Sequence, residues 1–139
     1  MINSPVLKID HIAIVSKQSN KIKRLFEKMG LAKRAEGLVQ EIKVNCEYYS
    51  FSNIDIEIVS PTEQDSIVIN HFNKNLTTPL HHIALEVTSL NEGIAYFQSL
   101  GYKLIDGSIY RAPKNDHKVV FLSPYQTGNL LIELVSDHE

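Results

Sequence analysis

Apolar residues recur at two different spacings along this chain, and each spacing predicts a different element. Stretches rich in β-branched residues, several of them alternating between apolar and polar positions, predict strands. Stretches with apolar residues three and four positions apart predict helices with one apolar side. The pattern predicts eight strands, at about residues 7–16, 31–36, 41–51, 54–60, 81–88, 102–106, 117–123 and 130–136. It predicts helices at about residues 19–29 and 90–100, and a short helix at about 65–74.

The first predicted helix has a clear apolar stripe and a clear end. Ile22, Leu25, Phe26 and Met29 have the spacing that places side chains on one side of a helix. Gly30 follows, at the position where glycine commonly ends a helix. We therefore expect all four apolar side chains to pack against the sheet.

The two halves of the chain repeat each other. Residues 11–15 (His-Ile-Ala-Ile-Val) return as residues 82–86 (His-Ile-Ala-Leu-Glu), at an offset of 71. Residues 56–60 (Ile-Glu-Ile-Val-Ser) return as residues 132–136 (Ile-Glu-Leu-Val-Ser), at an offset of 76. A repeat of this kind indicates two similar structural units. The second half has five additional residues, which we place in the loop 107–116.

The order of elements in each half is β-α-β-β-β. Four strands with one helix bury only one face of the sheet well, so two copies are needed for a stable domain. The sequence therefore predicts an α+β fold with two tandem βαβββ modules at 7–60 and 80–136, joined by a connector at 61–79. We expect the modules to form a curved eight-stranded mixed sheet around a central cleft, as a single domain over 1–139.

Four ionisable residues occupy equivalent places in the repeat: His11 and His82 near the start of each half, and Glu57 and Glu133 near its end. Buried singly, such groups would be costly. Two imidazoles and two carboxylates brought to one point would suit a divalent cation and leave coordination positions open for water or substrate. Co²⁺, Zn²⁺, Ni²⁺ and Mn²⁺ all fit this set. The sequence therefore predicts a catalytic metal site.

Composition limits the alternatives. A net charge of −2 gives no electrostatic signature for nucleic acid or membrane surfaces, and no apolar run is long enough to span a bilayer. The N-terminal sequence has no signal-peptide pattern, and the single Cys46 excludes an internal disulfide, so we expect a cytoplasmic protein. Period two assigns Cys46 to the helix-facing side of its strand, in the core.

The paired His-Ile-Ala and Ile-Glu-(Ile/Leu)-Val elements resemble the vicinal oxygen chelate superfamily of glyoxalases, bleomycin resistance proteins and dioxygenases. Within it, residues 80–87 (Leu-His-His-Ile-Ala-Leu-Glu-Val) and the segment 121–135 are similar to those of methylmalonyl-CoA epimerases. The turn 123–129 lacks the DPDG-like sequence typical of glyoxalase I. The resemblance covers residues 9–136 and implies the glyoxalase-like fold.

This resemblance implies a metal held by His11, Glu57, His82 and Glu133, with Co²⁺ the most common ion of the family. It implies an epimerase that moves a proton at the α-carbon of a methylmalonyl-CoA-like acyl thioester, through a metal-stabilised enolate. Its catalytic pair is Glu133 and a second glutamate at the start of the third strand, which a gap-free count places at Glu41. Glu47 is the next candidate. The resemblance also implies a homodimer.

The sequence departs from the epimerase pattern in two places. Ile42-Lys43 stands where these enzymes usually carry a glycine, and the segment 112–116 (Ala-Pro-Lys-Asn-Asp) replaces a glycine-bearing loop. A reshaped pocket follows, which leaves open a glyoxalase I-like lyase or an epimerase for another acyl-CoA. A metal-free binding protein of the same fold is the alternative from a different class.

Overall fold

The computed structural model describes residues 3–16, 18–69, 79–107 and 109–138, which contain eight strands and two α-helices. The strands are β1 (Val6–Val15), β2 (Lys33–Val39), β3 (Val44–Ser50), β4 (Asp55–Pro61), β5 (Leu80–Val87), β6 (Tyr110–Arg111), β7 (Lys118–Leu122) and β8 (Leu131–Ser136). The α-helices are α1 (Ser19–Lys28) and α2 (Leu90–Ser99), and single 3₁₀ turns lie at Gln40–Ile42, Lys114–Asp116 and Pro124–Gln126.

The chain divides into two compact units, and the boundary falls inside β1. The first unit is His11–His81, and its strand order is β2-β3-β4-β1. The second unit is Met1–Asp10 with His82–Glu139, and its strand order is β5-β8-β7-β6. In each unit one strand pair is parallel (β1 with β4, β5 with β8) and the others are antiparallel. Each half therefore has the predicted βαβββ plan, and the α+β class with eight strands in mixed pairing is confirmed.

The core of the first unit lies between α1 and one face of its sheet. Phe26 of the helix packs against Tyr49 and Ile58 of the sheet. The expected stripe is only half used, because Leu25 and Met29 are more than half exposed. The chain turns back at Gly30, which has a positive φ of 79°, and Leu31 then fills the space beside Phe26. Ile22, Phe26 and Leu31 thus provide the packing that the sequence predicted for the full helical stripe.

The core of the second unit is built in the same way beneath α2. Leu90 of the helix and Leu134 of β8 are buried members of this core, and the partly buried Phe97 packs against them. The helix begins with the side chain of Ser89, whose Oγ accepts a hydrogen bond from the backbone N–H of Glu92 at 3.1 Å. This is the side-chain cap that satisfies a free helix N–H group.

Two predicted elements differ from the structure. The strand predicted at 41–51 begins only at Val44, because a 3₁₀ turn occupies Gln40–Ile42. The strand predicted at 102–106 is reduced to one bridge between Leu104 and Leu122, and the strand preceding β7 is β6, inside the predicted loop. The helix predicted at 65–74 falls largely on residues outside the described ranges and stays a prediction; its described part contains turns followed by one helical residue, Ile69.

Strand register also relocates the five additional residues. Tyr48 lies opposite Glu57, and Phe121 lies opposite Glu133, so Tyr48 and Phe121 are equivalent at an offset of 73. Two of the additional residues therefore precede Phe121, and three lie between β7 and β8. The expectation that all five lie in the loop 107–116 was wrong.

Within the described ranges, neither α-helix has the length and apolar character that crossing a bilayer requires.

Candidate metal centre

One half of the candidate site is formed by His11 on β1 and Glu57 on β4. In the parallel pairing Ala13 lies beside Glu57, and His11 is two residues from Ala13, so both side chains emerge on the same face. We call this the histidine face; α1 packs on the opposite one, the helix face. His11 Nε2 lies 3.4 Å from Glu57 Oε1, and both side chains are almost completely buried.

The other half repeats this geometry with His82 on β5 and Glu133 on β8. Ala84 lies beside Glu133 in the register, as Ala13 does beside Glu57. His82 Nε2 lies 3.5 Å from Glu133 Oε2, and both side chains are again buried. The structure therefore brings each predicted histidine together with its predicted glutamate.

Each pair also contacts an aromatic ring from the neighbouring antiparallel strand. Tyr48 meets the imidazole of His11 edge to face, with ring centroids 5.8 Å apart. Phe121 meets that of His82 in the same way at 5.4 Å. The sequence did not predict these two equivalent contacts, because the offset of 73 between Tyr48 and Phe121 matches neither repeat motif.

The same register corrects the place of Cys46. It is buried, as expected, but it lies opposite Val59 and so shares the histidine face with Tyr48. The prediction that Cys46 faces the helix was wrong. Both faces of β3 carry buried residues, so burial of Cys46 did not identify the face that packs against α1.

The donor set fits a divalent cation. His11, Glu57 and His82 are buried residues of a kind that could hold a metal ion, and Glu133 is buried to the same degree. Carboxylates in such surroundings require a positive counter-charge. Neutral imidazole nitrogens and carboxylate oxygens are the ligands used by Zn²⁺, Co²⁺ and similar ions.

Glu41, predicted as the second catalytic glutamate, lies in the exposed 3₁₀ turn before β3 rather than on the strand. The expectation that it stands at the start of the third strand was therefore wrong. The turn is held in place: Thr62 N–H donates to the Lys43 carbonyl at 2.9 Å, and Ser66 Oγ–H donates to the Ile42 carbonyl at 3.1 Å. Lys43 itself adopts a positive φ of 57°.

The Lys43 side chain fixes the same turn from outside. Its ammonium donates a hydrogen bond to Asp65, which raises the pKa of Lys43 above its ordinary value. Glu63 lies 3.4 Å from the same ammonium. Glu41 is thus an exposed carboxylate on a well-supported backbone.

Glu47, the next candidate, lies on the helix face. Its register partner Ile58 belongs to the core beneath α1, and its carboxylate is ion-paired with Lys23 of that helix and with Lys33 at 3.5 Å. These contacts give Glu47 a structural role, in joining α1 to the sheet, and place it on the side away from His11.

A buried ion pair joins β1 to the segment 112–116. Lys114 Nζ, in the segment that departs from the epimerase pattern, donates to Asp10 Oδ2 at 2.8 Å, and both side chains are more than nine-tenths buried. Asp10 directly precedes His11. Asn115 and Asp116, which follow the lysine, have φ values of 58° and 53°, in the region that favours glycine. The segment therefore keeps glycine-like backbone without glycine.

Lys114→Met should lower the free energy of unfolding by about 3–5 kcal/mol, because it leaves the buried Asp10 carboxylate without its lysine. Urea denaturation measures this. The matched control is Arg111→Met in the same segment, which breaks the exposed 2.7 Å ion pair with Asp116 and should cost less than about 1 kcal/mol. Equal losses for the two variants would contradict a structural role for the buried pair.

Comparison with known proteins identifies relatives over most of the chain. The family model of the Glyoxalase/Bleomycin resistance protein/Dioxygenase superfamily matches residues 10–121. The uncharacterized protein YqjC of Bacillus subtilis is 30% identical over 128 residues, covering 91% of this chain and 90% of that protein. The mitochondrial methylmalonyl-CoA epimerase of Homo sapiens is 23% identical over 128 residues, covering 91% and 72%.

Solved structures share the fold. The methylmalonyl-CoA epimerase of Mycobacterium tuberculosis superposes with a TM-score of 0.84 at 20% identity, over 97% of this chain and 91% of that one. A methylmalonyl-CoA epimerase in complex with methylmalonyl-CoA and NH4+ superposes with a TM-score of 0.80 at 22% identity, over 94% of each chain. These likenesses confirm the predicted glyoxalase-like fold.

Proposed function

The chain belongs to the glyoxalase/bleomycin resistance protein/dioxygenase superfamily, and from that premise we propose that it is a metal-dependent epimerase of a methylmalonyl-CoA-like acyl thioester. The observation that supports this most is the duplicated His–Glu pair, buried in both units with nitrogen–oxygen distances of 3.4 and 3.5 Å. The epimerases among its relatives and fold neighbours supply the substrate class.

The proposed metal ligands are His11, Glu57, His82 and Glu133, as the two halves of one centre in a single domain. Each half would contribute one nitrogen and one oxygen ligand, which leaves positions for two substrate oxygens. A bound divalent ion would supply Lewis-acid stabilisation for negative charge that develops on the thioester oxygen. Co²⁺, Zn²⁺, Ni²⁺ and Mn²⁺ remain candidates on ligand type.

The protein's own proton carriers in this proposal are Glu133 and Glu41. Epimerisation removes the α-proton from one face of the carbon and returns a proton to the other, so it needs two acid–base groups. Glu133 is placed by β8 beside His82. Glu41 is the carboxylate in the turn that leads into β3. The histidine-face residues of β3 itself are Val44, Cys46, Tyr48 and Ser50, so that strand supplies no carboxylate on this face.

The proposal is tested by incubating metal-loaded protein with methylmalonyl-CoA in D₂O and following the α-proton by NMR. We expect exchange with solvent deuterium together with interconversion of the two epimers. Absence of exchange would exclude this substrate. A parallel assay with the hemithioacetal of methylglyoxal and glutathione tests the glyoxalase I-like alternative, and turnover there without exchange would replace the proposal.

We further propose a cytoplasmic homodimer. Each chain would carry a complete metal site, because a single chain contains all four proposed ligands. The partner implied is a small acyl-CoA, with neither nucleic acid nor membrane involved.

A further inference from the structure

The turn that carries Glu41 has little stability of its own. It is a single 3₁₀ turn, Gln40–Ile42, closed by a hydrogen bond from the Lys43 N–H to the Gln40 carbonyl at 3.2 Å. One such turn fixes several backbone dihedrals for one hydrogen bond, which is an unfavourable balance. Lys43 then has its positive φ of 57°, in the region that favours glycine. The backbone at Glu41 therefore depends on contacts from outside the turn.

These contacts come from the segment 62–66, which follows β4. Thr62 N–H donates to the Lys43 carbonyl at 2.9 Å, and the Ser66 hydroxyl donates to the Ile42 carbonyl at 3.1 Å. One segment therefore holds two successive carbonyl groups at the end of the turn.

The same segment connects the turn to a strand of the candidate site. β4 ends at Pro61, beside Val44 at the start of β3, and it carries the proposed ligand Glu57. The turn, the segment and both strands belong to the unit His11–His81. The backbone of Glu41 is therefore held at a fixed place relative to the strand of Glu57.

Ser66 is buried in a segment that is otherwise exposed. It is 3% exposed, whereas the other residues of 62–67 face solvent. A buried hydroxyl is costly unless it is hydrogen-bonded, and that of Ser66 donates to the Ile42 carbonyl. The Ser66 N–H donates to the Glu63 carbonyl at 3.2 Å, and the Ser66 carbonyl accepts from the Ile69 N–H at 3.1 Å. Ser66 is therefore itself fixed where it meets the turn.

We propose that Ser66 is a positioning residue for Glu41. Its hydroxyl holds the Ile42 carbonyl and so sets the backbone that presents the Glu41 carboxylate to the α-carbon. This inference rests on the proposed function, in which Glu41 is one of two proton carriers. A general acid or base acts only within hydrogen-bonding reach of the proton that it transfers, so a small displacement of its backbone lowers the rate. The four proposed metal ligands lie on strands, so metal binding should not depend on Ser66.

The test is a double-mutant cycle between Ser66→Ala and Glu41→Gln, with metal-loaded protein and methylmalonyl-CoA. Epimer interconversion is followed by NMR. In the wild-type background, Ser66→Ala should lower kcat by about tenfold and leave KM and metal content unchanged. In the Glu41→Gln background it should have no further effect, because the carboxylate that it positions is absent. A residue that acts on the fold as a whole would lower the rate by the same factor in both backgrounds.

Ser66→Cys is a second variant that nearly keeps the size of the buried side chain. It replaces the hydroxyl with a thiol, which is a weaker hydrogen-bond donor. Its kcat should lie between those of wild type and Ser66→Ala, and this loss should also vanish in the Glu41→Gln background.

The matched control is Ser60→Ala at the end of β4. The Ser60 hydroxyl is also buried, but it makes no hydrogen bond to any residue that the structure describes. This variant should keep the kcat and KM of wild type.

Wild-type kcat in both Ser66 variants would overturn the inference, as would loss of metal or equal losses in the two backgrounds. In each of these cases an active wild-type protein would leave the proposed function standing. Wild-type protein that does not interconvert the epimers would overturn the proposed function together with the inference, so the wild-type rate distinguishes the two failures.

Discussion

We expect the substitution His82→Ala to abolish both metal binding and α-proton exchange. The substitution removes one of two imidazole ligands and leaves Glu133 without the nitrogen that lies 3.5 Å from it. Two carboxylates and one histidine hold a divalent ion less tightly. Metal analysis after reconstitution and dialysis measures the first loss, and deuterium incorporation into methylmalonyl-CoA measures the second.

The chain provides a matched control one residue away. His81 precedes His82 on β5, and successive strand residues point to opposite faces. His81→Ala should therefore retain the metal and most of the exchange activity. Equal loss of metal in the two variants would mean that β5 has been disturbed as a whole, and would contradict the assignment of His82 as a ligand.

Glu41→Gln is expected to slow epimer interconversion by about 10²-fold or more, as the loss of a general base or acid. Metal content should stay at the wild-type level, because Glu41 is not a proposed ligand. The turn that carries it should also persist, since its fixed hydrogen bonds come from Thr62 and Ser66. The rate of epimer interconversion, followed by NMR, is the measurement.

Glu47→Gln is the matched control for this prediction. It weakens the ion pairs with Lys23 and Lys33 and should lower stability, while the exchange rate stays close to wild type. Full activity of Glu41→Gln would refute Glu41 as the second base. Because Glu47 lies on the helix face, the search would then turn to the polar histidine-face residues of the first unit.

The repeat in the sequence predicted most of the fold, because each copy needs the same strand faces and the same helix to bury its apolar residues. The predicted limits of β1 and α2 agreed closely with the structure, because each element has a long stretch of regularly spaced apolar residues. The pairs His11–Glu57 and His82–Glu133 were predictable for the same reason. Equivalent positions in a duplicated unit acquire equivalent geometry.

The remainder depends on contacts that local periodicity does not encode. Glu41 lies in a turn instead of the predicted strand, because hydrogen bonds from Thr62 and Ser66 hold the backbone of that turn. The Lys114–Asp10 pair joins residues far apart in sequence. The equivalence of Tyr48 and Phe121 could not be predicted from the repeat, because the β7–β8 connection is longer than the β3–β4 connection. Only the strand register aligns the two residues.

The most direct test of the central claim is metal stoichiometry per chain. If the two His–Glu pairs are halves of one centre, wild-type protein reconstituted with Co²⁺ or Zn²⁺ should hold one ion per chain. His11→Ala and Glu133→Ala, one from each half, should each lose it. Retention of an ion by either variant, two ions in the wild type, or none after reconstitution would contradict a single centre built from both halves.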